Sequence, residues 1–281
     1  SGCANVTEIY YDAANAGDLQ QSSFAFNEVG KNTDGVILTV GPNATKIPDY
    51  MFSPWVTTEG APRITQVIFE DNSTCISIGK YAFAYCASLE TVTIPASVDS
   101  IGECAFSNCA ALSTLYLNSE WTLHLPGKNY AFATGGSFDL ILGSTVKGIG
   151  DYTFANASIA SMRMEDGCQL SQIGQYAFAE ANQLTNIILP ANLSALGDYA
   201  FYNCSMVTEI RLMSTELGDL SFNFPAMNCV GQNTEGVRVI IGKSVTAIPA
   251  YMFAGSSDTY NPKIISLEFE EGSLCTSIGQ Y

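Results

Sequence analysis

Short segments in which apolar and other residues alternate recur along the whole chain, and period-two alternation is the signature of a strand with one buried face. Their inward pairs are Ile9/Tyr11, Leu38/Val40, Val67/Phe69, Val92/Ile94, Leu115/Leu117, Leu140/Leu142, Met162/Met164, Ile187/Leu189, Ile210/Leu212, Val239/Ile241 and Leu267/Phe269. Successive pairs lie 22 to 29 residues apart. A second phrase follows in register. Ile78-Gly79-Lys80-Tyr81-Ala82-Phe83 returns 23 residues later as Ile101 to Phe106, then at Ile149 to Phe154, Ile173 to Phe178 and Leu196 to Phe201, with Pro-containing variants from Ile47 and Ile248.

Each residue type has a physical reason. Pro95 and Pro190 follow their strands and, lacking an N–H, end the pairing. Ala82, Phe83, Cys86 and Leu89 fall three and four apart, which predicts a turn or two of helix on the far side of each coil. Gly79 places a backbone without a Cβ at the corner. A single coil cannot bury its own apolar edges, so neighbours must stack. A longer period overlies the short one: Cys3, Val6 to Ile9, Gly17 to Leu19, Gly35 and Tyr50 to Phe52 recur 201 residues on, and after one deletion Ile64 pairs with Ile264.

The phrase I-G-x-x-A-F-x-x-C-x-x-L-x-x-I-x-I-P, plainest at Ile78 to Pro95 and Ile173 to Pro190, resembles the leucine-rich repeat of the BspA-like, or Treponema, type. The resemblance implies a repeat solenoid: a continuous parallel β-sheet on one face and short helical turns on the other. Residues 1–281 read as a single solenoid of about eleven coils, cut through a coil at each end and so a piece of a longer array. The resemblance also implies display on a microbial surface and adhesion to host proteins or other cells.

Composition narrows the classes further. Twenty-seven acidic residues against eleven basic ones leave a net charge of −16, which disfavours nucleic acid and anionic lipid. No apolar run reaches the ~18 residues needed to span a bilayer, so no direct membrane insertion is expected in this segment. Most of the nine cysteines occupy repeat positions and read as small buried apolar groups, although stacked coils would allow a Cys86–Cys109 bridge. No paired C-x-x-C supports a metal site, and no cofactor motif is present.

The only histidine, His124, sits in Trp121 to Pro126, outside any nucleophile motif, so no enzyme is expected. Acids such as Glu90, Glu103, Asp151 and Asp198 occupy variable repeat positions, where solvated charge is the ordinary outcome. Asn-x-Ser/Thr triplets at Asn5, Asn43, Asn72, Asn156, Asn192 and Asn203 follow from a composition rich in these residues. Ser1-Gly2-Cys3 resembles the end of a lipobox, but Cys3 is better explained by its match to Cys204.

What remains is the outward side of the sheet. One row on it includes Tyr10, Tyr116, Ile141, Arg163, Ile188, Arg211 and Ile240, and a second includes Glu8, Ile37, Thr114, Glu209 and Arg238. From these, Tyr10, Tyr116, Ile141, Arg163, Ile188, Arg211, Arg238 and Ile240 are the candidate ligand-binding residues. Three of eleven basic residues project there, and guanidinium groups suit carboxylate or sulfate recognition, with pairing to Glu209 and Glu268 the plainer reading. The function expected is a non-enzymatic extracellular or cell-surface module that binds a host extracellular-matrix or cell-surface protein or glycoconjugate. The alternative is a structural spacer presenting another domain.

Overall fold

A computed structural model describes residues 3–23, 25–54, 60–122, 130–255 and 260–280, with only the backbone described at Trp121 and Thr122. Among them eleven front strands bound ten turns of a parallel solenoid: Glu8–Tyr11, Val36–Val40, Ile64–Phe69, Thr91–Ile94, Thr114–Leu117, Phe138–Leu142, Ile159–Met164, Asn186–Leu189, Glu209–Leu212, Val237–Ile241 and Ile264–Phe269. Their register is the one the alternation predicts. Leu38 lies opposite Ile9 and Val67, Leu115 opposite Val92 and Leu140, and Ile210 opposite Ile187 and Val239. Phe83, Val92, Ile187 and Leu189 are fully buried in one core that runs from Tyr11 to Met252.

The front sheet is not continuous. Seven strands, ending at Ile159–Met164, form one sheet and the last four form another. The break follows a bulge. Asp139 faces Ser161 while Phe138 faces Ile159, so Ala160 has no partner. The same slip leaves Thr65 unpaired against the Val36–Val40 strand, and there the next strand keeps only two pairs, Gln66–Thr91 and Val67–Val92. An inserted residue bends and twists its strand. After Ala160 no ladder forms with the next front strand. Coil stacking survives at the side, where the two-residue strands Trp121–Thr122, Gly148–Ile149, Gln172–Ile173 and Ala195–Leu196 pair across the break.

The expected helical turns on the far side are absent from the described residues, which contain no helix. Two tight turns replace them, closed by bonds such as Ala84 N to Tyr81 O (3.2 Å) and Cys86 N to Phe83 O (3.0 Å). Tyr81 and Tyr85 have φ of 54° and 63°, and Cys104/Asn108, Tyr152/Asn156, Tyr176/Glu180 and Tyr199/Asn203 repeat the pair. A left-handed residue costs ~1–2 kcal/mol and cannot continue an α-helix. The conformation turns alternate N–H groups toward the next coil: Tyr81 N reaches Glu103 O at 2.9 Å and Phe83 N reaches Ala105 O at 2.8 Å. Phe52, Phe106, Phe154, Phe178 and Phe201 donate likewise to the next coil. The back is therefore a hydrogen-bonded ladder of turns. Inside it the rings of Phe52, Phe83, Phe106, Phe132, Phe154, Phe178 and Phe201 stack at 5.1–5.3 Å.

The long period is structural as well. Gly30 and Gly231 both turn the chain at φ near +73° and +74°. Asp18 accepts from the Asp49 N–H, and Asp219 from the Ala250 N–H, each pair being 201 residues from its counterpart. The bulge at Thr65 recurs at Ile265. Leu267 and Phe269 keep the core register but are 41% and 45% exposed, because no further coil lies over the Ile264–Phe269 strand in this sequence.

Candidate functional site

Strand alternation places all eight sheet-face candidates on the outward side, in two groups separated by the break. Tyr116, Ile141 and Arg163 are cross-strand neighbours in the first sheet, and Ile188, Arg211 and Ile240 in the second. Tyr10 stands at the first edge, 60% exposed, its hydroxyl donating to Glu70 Oε2 at 3.5 Å. Arg163 and Arg238 are exposed, while Tyr116, Ile188 and Arg211 are half-buried. Ile141 and Ile240 depart from expectation: both face outward yet are only 4% and 8% exposed. Each lies between longer neighbours, Tyr116 and Arg163 in one case, Arg211 and Glu268 in the other. Their side chains serve as the floor of the face and not as contact points.

The arginines divide. Glu209 Oε1 accepts from Arg211 Nε at 2.7 Å, its second oxygen accepts from Arg238, and Arg238 also reaches Glu268 at 3.4 Å. Arg238 and then Arg211 hold the Glu209 carboxyl below its ordinary pKa. Arg163 is exposed and forms no ion pair among the described residues.

The cysteines are all free thiols. Cys86, Cys109 and Cys204 are fully buried, and each donates to the carbonyl of a phenylalanine in the preceding coil: Phe52, Phe83 and Phe178, at 3.4, 3.2 and 3.1 Å. Burial pushes the Cys204 thiol up to about 12 and Cys75 to about 11. Among the described residues no group of three or more His, Cys, Asp and Glu is placed to hold a metal. Among the described residues no helix is long and apolar enough to cross a membrane. His124 lies outside the described residues.

A site the repeat pattern did not single out lies on the back. The tyrosine that precedes Ala-Phe in the phrase stacks coil upon coil. Tyr152 and Tyr176 are parallel at 5.0 Å, and Tyr176 and Tyr199 follow at 5.0 Å. Tyr130 turns to 68° from Tyr152, and Tyr202 stands at 68° to Tyr176. Together they wall a hollow of about 170 Å³ that is floored by Ala155 and Ala179, with Asn156 and Glu180 on its rim. Tyr202 is out of pattern: the residue after each phrase Phe is elsewhere small, as at Ala84, Ser107, Ala155 and Ala179. That single exchange was the available sequence signal. Burial raises the Tyr176 and Tyr202 hydroxyl pKa values, and negative neighbours add to the effect, so both stay neutral phenols.

Several solved structures are similar to the chain at low identity. A leucine-rich repeat protein from Bacteroides ovatus is 17% identical over 98% of this chain and 71% of its own, with a TM-score of 0.46. A Treponema pallidum leucine-rich repeat protein is 20% identical over 86% of this chain and 92% of its own, at 0.39. A leucine-rich cell surface protein from Faecalibacterium prausnitzii is 19% identical over 94% and 83%, at 0.30. No curated protein matches the chain. The family model described as the BspA type leucine rich repeat region matches six copies, over residues 45–132 and 127–260, and with the register and turn geometry above it places this chain in the BspA-type leucine-rich repeat family.

Proposed function

We propose that this chain is a non-enzymatic binding module exposed at a cell surface, and that the outward sheet face holds an extracellular protein or glycoconjugate in adhesion. The solenoid of this family is typically a scaffold for binding rather than for catalysis. The observation that carries the reading is the composition of the face. It presents Tyr10, Tyr116 and Arg163 on a rigid backbone, and none of the three is needed to fill the core. Tyrosine and arginine give large contact area with a polar end, the combination enriched where proteins grip partners. Fold by itself does not decide function.

Alanine or glutamate changes at Tyr116, Arg163, Arg211 and Arg238 test the proposal against a panel of extracellular-matrix proteins and glycans. Loss of capture by the Tyr116 and Arg163 variants, with unchanged melting, supports the binding face. Capture unaffected by all four would overturn it in favour of a spacer, a reading that the neutralisation of Arg211 and Arg238 by Glu209 favours.

A further inference from the structure

We propose that an exposed aromatic patch formed by Tyr199, Tyr202, Phe222, Phe224 and Tyr260 docks a basic polypeptide segment by seating one of its apolar side chains. It is a second site, away from the sheet face. Phe222 and Phe224 are 55% and 48% exposed and stand outside the core. The duplication supplies an internal control. Gly17-Asp18-Leu19 matches Gly218-Asp219-Leu220, and Leu19 N bonds Asp49 O as Leu220 N bonds Ala250 O. Two and four residues after the leucine, however, the first copy has exposed Gln21 and Ser23 where the second has Phe222 and Phe224. The path of the coil therefore does not require the two rings. Large apolar groups held in water where polar ones serve the fold equally well mark a contact surface.

The rings are contiguous. The Phe224 ring centre lies 5.8 Å from that of Tyr199, which is 5.6 Å from Tyr202, and Phe222 lies 5.3 Å from Tyr251. Beside them Tyr176, Tyr199, Tyr202, Asn228 and Tyr260 line an open pocket of about 320 Å³, which admits one leucine- or phenylalanine-sized side chain. Charge complementarity selects the rest of the partner. Glu180 N donates to Tyr202 O at 2.7 Å, Tyr176 N to Asp198 O at 3.0 Å, and Ala250 N to Asp219 Oδ1 at 2.7 Å, so three acidic residues border the rings. None of the three forms an ion pair among the described residues. Residues 174–182, 197–206, 217–235, 249–255 and 260–262, which make up the back of these coils, include no Lys or Arg. A cationic segment is attracted to such a surface, whereas a second copy of this chain, at a net charge of −16, and anionic lipid are repelled.

The test is fluorescence anisotropy of the full chain with a labelled peptide of alternating lysine and leucine, beside two controls of equal length, lysine with serine and glutamate with leucine. Saturable binding of the lysine–leucine peptide alone is expected. The double variant Phe222→Gln, Phe224→Ser restores the residues of the first copy, so circular dichroism should be unchanged while affinity falls by about tenfold. Glu180→Gln should weaken binding by about threefold, and added salt should weaken it further. Equal binding of either control peptide, no saturation, or full affinity in the double variant would overturn the assignment. Binding to phosphatidylcholine vesicles that the double variant loses would overturn it in favour of a lipid surface. None of these outcomes bears on the sheet face, whose residues are untouched.

Discussion

The Cys109 thiol donates to the Phe83 carbonyl at 3.2 Å, and the same oxygen accepts from the Cys86 N–H at 3.0 Å. One carbonyl thus closes the turn of its own coil and bonds the side chain of the next. The sulfur fills the space behind a stacked Phe ring and uses the second lone pair, which explains why this position favours cysteine without any bridge.

Thiol chemistry checks that arrangement. With its thiol pushed up to about 12, Cys204 is ionised on the order of one part in ten thousand at pH 8, and the thiolate is the reactive form. Dithionitrobenzoate at pH 8 should modify exposed Cys3 rapidly and leave Cys86, Cys109 and Cys204 unlabelled until denaturant is added. Rapid native labelling of Cys204, mapped by mass spectrometry, would contradict the buried assignment.

Close coil contact makes a matched pair of glycine substitutions informative. A Cβ on Gly102 would stand 2.4 Å from Lys80 N and 2.6 Å from Gly79 C, backbone atoms that cannot move aside singly. A Cβ on Gly17 meets nothing within 4 Å. Gly102→Ala should lower stability by roughly 2 kcal/mol or more, while Gly17→Ala should be neutral or slightly stabilising. Chemical denaturation of the two variants side by side decides the point.

Acid should act on the second front sheet through Glu209. Its folded pKa lies below the ordinary glutamate value because Arg238 and Arg211 donate to it. The stabilisation is therefore present above the unfolded pKa of ~4.3 and is lost as pH falls through the lower folded value. Melting temperature plotted against pH should fall more steeply below pH ~4 for the parent chain than for Glu209→Gln. Parallel curves would mean the carboxylate contributes nothing to stability.

Much of the fold was legible before any coordinates, because a stacked repeat repeats its reasons. The pairing of Val92 with Leu115, or of Ile187 with Ile210, follows from alternation at nearly constant spacing. Four features were not legible. The spacing of Ala82, Phe83, Cys86 and Leu89 fits a helix as well as two consecutive turns, and only the left-handed backbone at Tyr81 and Tyr85 separates them. The sheet break follows a strand that carries one extra residue, Ala160, and whose alternation looks regular from Met162 onward. The covering of Ile141 and Ile240 depends on the length of side chains one coil away on either side, some twenty to thirty residues off in sequence. The tyrosine hollow needs Tyr130, Tyr152, Tyr176 and Tyr202 together, and a repeat consensus hides just the position where Tyr202 departs from it.

The missing ladder between Ile159–Met164 and Asn186–Leu189 divides the outward surface into two plates joined through the Gln172–Ile173 and Ala195–Leu196 strands and the Phe178-to-Ala200 bond behind them. Tension along the stack crosses that seam through the rear of the molecule, so a ligand spanning Arg163 and Arg211 would act as a strap over the one joint the front leaves unbonded.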